Sequence, residues 1–113
     1  MNTQLRMLIE AYIDNLKAIY QDTLQSVILY GSYARGEVSA MSDIDLMILV
    51  NSDDDGIRAK NEALIYMTYD FNMEHDLDIQ PIAESVATYR YWIGAHPFYQ
   101  NVNREGVILY DAA

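Results

Sequence analysis

The sequence predicts an α/β (α+β) fold: a small mixed β-sheet of about four strands flanked by helices. Three observations predict it. Apolar residues recur at helical spacing through the N-terminal segment, two later stretches alternate between aliphatic and acidic residues, and short β-branched runs stop at glycine. With 113 residues, 51% of them apolar and only two prolines, a single globular domain spanning 1–113 is expected.

The elements follow in order. Leu5, Leu8, Ile9, Tyr12, Ile13, Leu16, Ile19 and Tyr20 share one helical face, so residues 3–22 read as an amphipathic helix with Thr3 as N-cap. Ser26 to Tyr30 (SVILY) is a short strand stopped by Gly31, and residues 32–36 form a turn or short helical turn. From Asp43, Ile44, Leu46, Ile48 and Val50 point to one side while Asp43, Asp45 and Met47 point to the other, a second strand.

Asn51 to Gly56 (NSDDDG) has loop composition, and Ile57 to Phe71 suits a helix. Asp76 to Ile82 (DLDIQPI) alternates again, with Leu77 and Ile79 in and Asp76, Asp78 and Gln80 out; Pro81 marks an edge strand or a strand end. Helices are expected from Glu84 to Tyr91 and from His96 to Glu105, the latter stopped by Gly106, before a last strand, Val107 to Tyr110.

Composition removes several functions. Seventeen acidic against seven basic residues argue against an extended nucleic-acid surface, because phosphate affinity needs clustered Lys and Arg. A basic protein partner is permitted. No cysteine is present, so disulfides and thiolate metal sites are excluded. No apolar run approaches a membrane span, and the first residues do not form a signal peptide, so a cytoplasmic protein is expected.

The chemistry concentrates in Tyr30 to Val50, YGSYARGEVSAMSDIDLMILV. Asp43 and Asp45, two apart on a strand, leave the same face about 6.5–7 Å apart. If the strand carrying Asp78 is a neighbour, a third carboxylate joins them. Three converging carboxylates are costly without a cation, and hard oxygen ligands suit Mg²⁺ or Mn²⁺. A DxD alone reads as acidic decoration of a half-solvated strand. Gly31 and Ser32 change that weighing, because glycine admits a close ligand and the N–H groups of a starting helical turn form an anion-binding concavity. Arg35, on the same turn, could offset phosphate charge.

Gly31-Ser32, ten residues, then Asp43-Ile44-Asp45 resembles the G-S-x(10)-D-x-D motif of the DNA polymerase β-like nucleotidyltransferases. The fuller GSYARG…SDIDL is similar to minimal nucleotidyltransferase (MNT) proteins, and the likeness spans nearly the whole chain, including LDIQPI and NVNREGVILY. The resemblance implies that fold. It also implies that Gly31 and Ser32 hold the terminal phosphates of a nucleotide and that Asp43 and Asp45 bind metal. The third family carboxylate, which binds metal and helps deprotonate the attacking hydroxyl, best matches Asp78, placed deeper between Leu77 and Ile79; Asp76 is its competitor. Arg35 would orient the motif or meet phosphate, and Ser42 would be a cap or turn hydroxyl.

The implied reaction is Mg²⁺-dependent transfer of a nucleotide, AMP from ATP, to a hydroxyl. Many such MNT proteins are antitoxins paired with HEPN-domain toxins, so a tyrosine of a HEPN partner is the leading acceptor. With no second domain, the acceptor site must be completed by another protein or another subunit. The alternatives are a small-molecule nucleotidyltransferase of the aminoglycoside-modifying kind, completed by homo-oligomerisation, and a non-catalytic module that masks a toxin.

Other residues carry plainer readings. His75 reads as a strand-edge surface histidine, His96 as a helix-start residue, and Asp53 to Asp55 as a solvated loop. The aromatic segment Tyr89, Tyr91, Trp92, Phe98 and Tyr99 reads first as packing against the sheet. Nucleobase stacking and a protein-contact surface are its alternatives.

Overall fold

A computed structural model describes residues 2–36 and 43–112. Four strands form one sheet in the order β3-β2-β1-β4. They are β1 (Leu24–Tyr30), β2 (Ile44–Val50), β3 (Ile79–Ser85) and β4 (Val107–Asp111). Helix α1 (Thr3–Tyr20) precedes β1, the single turn α2 (Ser32–Arg35) follows it, and α3 (Asp54–His75) links β2 to β3. The short α4 (Val86–Ile93) and α5 (Pro97–Glu105) link β3 to β4. β1 runs antiparallel to β2 and β4, whereas β3 runs parallel to β2 after the α3 crossover. The sheet is therefore mixed, as expected.

The apolar stripe of α1 buries Ile9, Tyr12, Ile13, Leu16 and Tyr20 against Val27, Leu29, Ile44, Leu46 and Ile48 of the sheet and Leu64 and Phe71 of α3. The Tyr12 hydroxyl and the Thr68 hydroxyl, both buried, hydrogen bond at 2.7 Å, which satisfies the polar end of an otherwise apolar contact. Asn2, not Thr3, caps α1: its side chain accepts from the Leu5 N–H at 2.7 Å.

The second face of the sheet is not open. Met47 and Leu49 pack with Ile28, Tyr89 of α4 and Val102 of α5, and Met47 is fully buried. The aromatic segment divides: Tyr89 joins this core, while Tyr91 and Trp92 stay exposed. Asp43, exposed just before β2, and Asp45, half-buried at its mouth, lie outside this core. Alternating acids there mark the end of a buried strand.

Two boundaries differ from expectation. Helix α3 starts earlier, because Asp53 caps it by accepting from the Gly56 N–H at 2.8 Å, and Asp54 and Asp55 occupy its first turn. Carboxylates at that end offset the positive pole of the helix dipole, so the run read as loop belongs to the helix. At the other end α3 extends to His75, whose ring lies 4.4 Å from that of Phe71, so His75 is not at a strand edge. Asp76, with φ +53°, is the left-handed C-cap of α3, and β3 begins only at Ile79. His96 does start a helix, accepting from the Phe98 N–H at 3.2 Å. Ser42 lies outside the described residues.

Strand β3 is an edge strand, as Pro81 suggested, and its free side is blunted. The Asn72 side chain accepts from the Ile79 N–H at 3.0 Å and donates to the Ile79 C=O at 3.1 Å, standing in for a further strand. Pro81 has no N–H to offer. Both devices discourage edge-to-edge pairing. Asn72→Ala strips Ile79 of both partners and is expected to cost about 2 kcal/mol, read as a lower urea midpoint at unchanged m-value.

Candidate active site

Strand β1 ends at Tyr30, and Gly31 turns the chain with φ +74°, ψ −149°, a conformation open essentially to glycine. A Cβ at Gly31 would overlap the Asp45 carboxylate, since Asp45 is the register partner of Tyr30 on the adjacent strand. The missing side chain thus lets a carboxylate lie against the turn. Ser32 opens α2, whose first N–H groups have no partner within the helix, and Gly36 closes it in the left-handed region at φ +76°.

Asp43 and Asp78 are brought together by the parallel register. Ile44 pairs with Ile79, and the Ile44 N–H donates to the Asp78 C=O at 2.9 Å, extending the ladder one residue back. Residues paired in this way point to the same face, so Asp43, Asp45 and Asp78 share one side of the sheet. The carboxyl groups of Asp43 and Asp78 lie close enough to interact. Hydrogen bonding with the Asp78 carboxyl, then its charge, holds the Asp43 carboxyl above the usual carboxylate range. Burial, then the charge of Asp78, also raises Asp45, with Arg35 opposing.

Two polar partners steady this group. Gln80 donates from Nε2 to Asp78 at 2.6 Å. Arg35, close enough to act on Asp45, pairs with Glu105 at 3.6 Å at the end of α5. Burial and the Asp45 charge push the Tyr30 hydroxyl up to about 12. Tyr30 meets Phe98 edge-on at 5.7 Å, and both line a cavity of about 210 Å³ with Gly31, Arg35 and Asn101.

Asp76 is separated from this arrangement by its place on the helix cap. The sequence reading did not single out Gln80 or Glu105 as site residues. Gln80 was visible in the alternation with Asp78. Glu105 gave no signal, because only the fold brings α5 to α2.

Among the described residues no three carboxylate or imidazole groups meet at ligand distance around one point. The chemistry of the donors nonetheless fits a hard divalent cation. Three carboxylates face one side, and among the described residues Arg35 opposes their charge at Asp45.

A mixed sheet that sets a Gly-Ser turn against paired aspartates at a strand mouth defines a class of nucleotidyl-transferring proteins. Residues 14–113 match the family described as "Polymerase beta, Nucleotidyltransferase", and the chain belongs to that family, so it is a nucleotidyltransferase. It is 31% identical over 102 residues to "Putative protein adenylyltransferase MJ0604" of Methanocaldococcus jannaschii, a match covering 90% of this chain and 94% of that protein. Among solved structures, it resembles a toxin-antitoxin with AMP-PNP at TM-score 0.55 and 22% identity, over 87% of this chain and 72% of that one. It also resembles the complex of tri-AMPylated Shewanella oneidensis HEPN toxin with MNT antitoxin at TM-score 0.53 and 18% identity, over 93% and 71% of the chains. At those identities the structural likeness is one of fold. No helix among the described residues is long and apolar enough to cross a membrane.

Proposed function

We propose that residues 1–113 act as one minimal nucleotidyltransferase domain that transfers AMP from ATP to a tyrosine hydroxyl of a HEPN-type toxin. Adenylylation silences the toxin, and the chain is its cytoplasmic antitoxin. The observation that carries this reading is the meeting of Asp43 and Asp78 beside Asp45, with Gly31 against the Asp45 carboxylate. The adenylyltransferase description of the M. jannaschii relative supports the choice of AMP and of a protein acceptor.

Asp43, Asp45 and Asp78 would hold Mg²⁺ or Mn²⁺. When bound, such a cation supplies positive charge against the oxygens of the transferred phosphoryl group. The N–H groups opening α2, the Ser32 hydroxyl and Arg35 bind the β- and γ-phosphates. The acceptor oxygen attacks the α-phosphorus as the bond to the pyrophosphate oxygen breaks. Asp78, oriented by Gln80, takes the hydroxyl proton. Holding both reactants in line and stabilising the developing charge is most of the catalysis.

The test is incubation with ATP labelled at the α-phosphate, Mg²⁺ and the co-produced HEPN-type protein. Label is expected on a toxin tyrosine, and chelation is expected to prevent it. Label appearing only on a small molecule would overturn the protein acceptor. Undiminished toxin neutralisation by the Asp43→Asn, Asp45→Asn double variant would reduce the chain to a masking partner.

A further inference from the structure

An open groove runs between α3 and the free edge of β3, with a volume of about 440 Å³. Its walls include Leu64, Ile65, Tyr69, Pro81 and Ile82, and no charged side chain lines it. Ile65 is 64% exposed, Tyr69 61% and Ile82 39%, so large apolar side chains face water along the groove, interspersed with Asn61, Thr68, Asn72 and Gln80. Ile65, Tyr69 and Met73 recur every four residues as a second apolar stripe on α3, away from its buried face. Strand addition does not account for this surface, because Asn72 occupies the edge groups of Ile79 and Pro81 lacks a donor. What the groove offers is side-chain contact.

Its position links it to the carboxylates. Gln80 both lines the groove and donates to Asp78, and Ile79 follows Asp78 directly in the chain. In the sheet order β3-β2-β1, the groove opens on the β3 side of Asp43 and Asp45 while the Gly31 turn lies on the β1 side. The groove and the turn therefore flank the aspartates from neighbouring strands on either side.

Charge selects the occupant. Beside the apolar stripe, the parallel row Glu62, Tyr66, Asp70 and Glu74 carries three exposed acids around one exposed tyrosine. A second copy of this chain, itself at net charge −10, would bring like charge to that row. A partner with an apolar ridge bordered by Lys and Arg matches both stripes.

We infer that the α3–β3 groove is the docking surface for the protein acceptor, a partner whose apolar ridge is flanked by basic residues. The inference rests on the adenylyltransferase reading above. It assigns Ile65, Tyr69 and Ile82 to acceptor recognition, with Glu62, Asp70 and Glu74 steering the approach.

The experiment compares wild type with Ile65→Ser/Tyr69→Ser and with Asp70→Lys/Glu74→Lys, all at exposed positions. The readouts are label transfer from ATP to the HEPN-type protein, association with that protein over a range of salt, and binding of AMP-PNP with Mg²⁺. The first variant is expected to lose at least tenfold in kcat/KM for the protein acceptor, with AMP-PNP binding unchanged. The second is expected to lose the salt dependence of association. Unchanged transfer in both variants overturns the inference, and so does a parallel loss of AMP-PNP binding. If wild type labels nothing, the enzyme reading falls, and co-elution with the HEPN-type protein decides the groove: loss of co-elution in the variants upholds it, and retention removes it.

Discussion

Asp45→Asn is expected to lower kcat for AMP transfer by about 10²–10³-fold while raising the Tm of the metal-free protein. The two effects share one cause. Asp45 is half-buried beside Asp78, and burial first, then that charge, raises its pKa. An unfolded chain returns it to about 3.9. A carboxyl with a raised folded-state pKa contributes fully to stability below its unfolded pKa, and that contribution is lost as pH rises through the folded value. At pH 7 the ionised group therefore opposes folding, and the neutral amide removes that opposition. Calorimetry in EDTA is expected to show a gain of about 2–5 °C at pH 7 that shrinks toward zero near pH 4. Adding Mg²⁺ is expected to stabilise wild type and not the variant, since binding to the folded state raises stability by mass action. A variant no more stable than wild type at pH 7 would mean that the carboxylates are not in conflict.

Gly31→Ala is expected to lower kcat/KM about 10²-fold and stability by about 1–3 kcal/mol. The backbone at φ +74° resists any L side chain, and the new methyl would displace the Asp45 carboxylate. One substitution thus disturbs the Gly31-Ser32 turn and the carboxylate group together. Gly36→Ala is the comparison that isolates backbone strain. Gly36 is also left-handed, at φ +76°, but nothing lies within 4 Å of a Cβ there. That variant is expected to lose about 1 kcal/mol and keep its activity. Equal activity losses in the two would detach the effect from Asp45. Steady-state kinetics alongside urea denaturation separates these cases.

The two glycines also show why part of the site was legible in the sequence. Gly31-Ser32 and Asp43-Ile44-Asp45 are local signals, a turn and a two-residue alternation, and each kept its meaning once folded. Strand β2 was equally legible because Ile44, Leu46 and Ile48 repeat with strand period over its whole length. Asp76 was misplaced for the opposite reason. Alternation over DLD is too short to distinguish a strand from a chain leaving a helix, and α3 runs on through residues with weak apolar period. The cover over Met47 and the pairing of Arg35 with Glu105 depend on α5 folding back onto the sheet, and no local pattern announces a long-range contact.

The clasp of Asn72 on Ile79 makes α3 a measuring rod. Only six residues separate them, and the clasp fixes which residue of β3 sits beside Ile44. Inserting or deleting one residue in that bend would slide β3 by one pleat and turn the Asp78 carboxylate through to the α1 side of the sheet. The side chains of that bend are free to differ, but its length is tied to the position of Asp78.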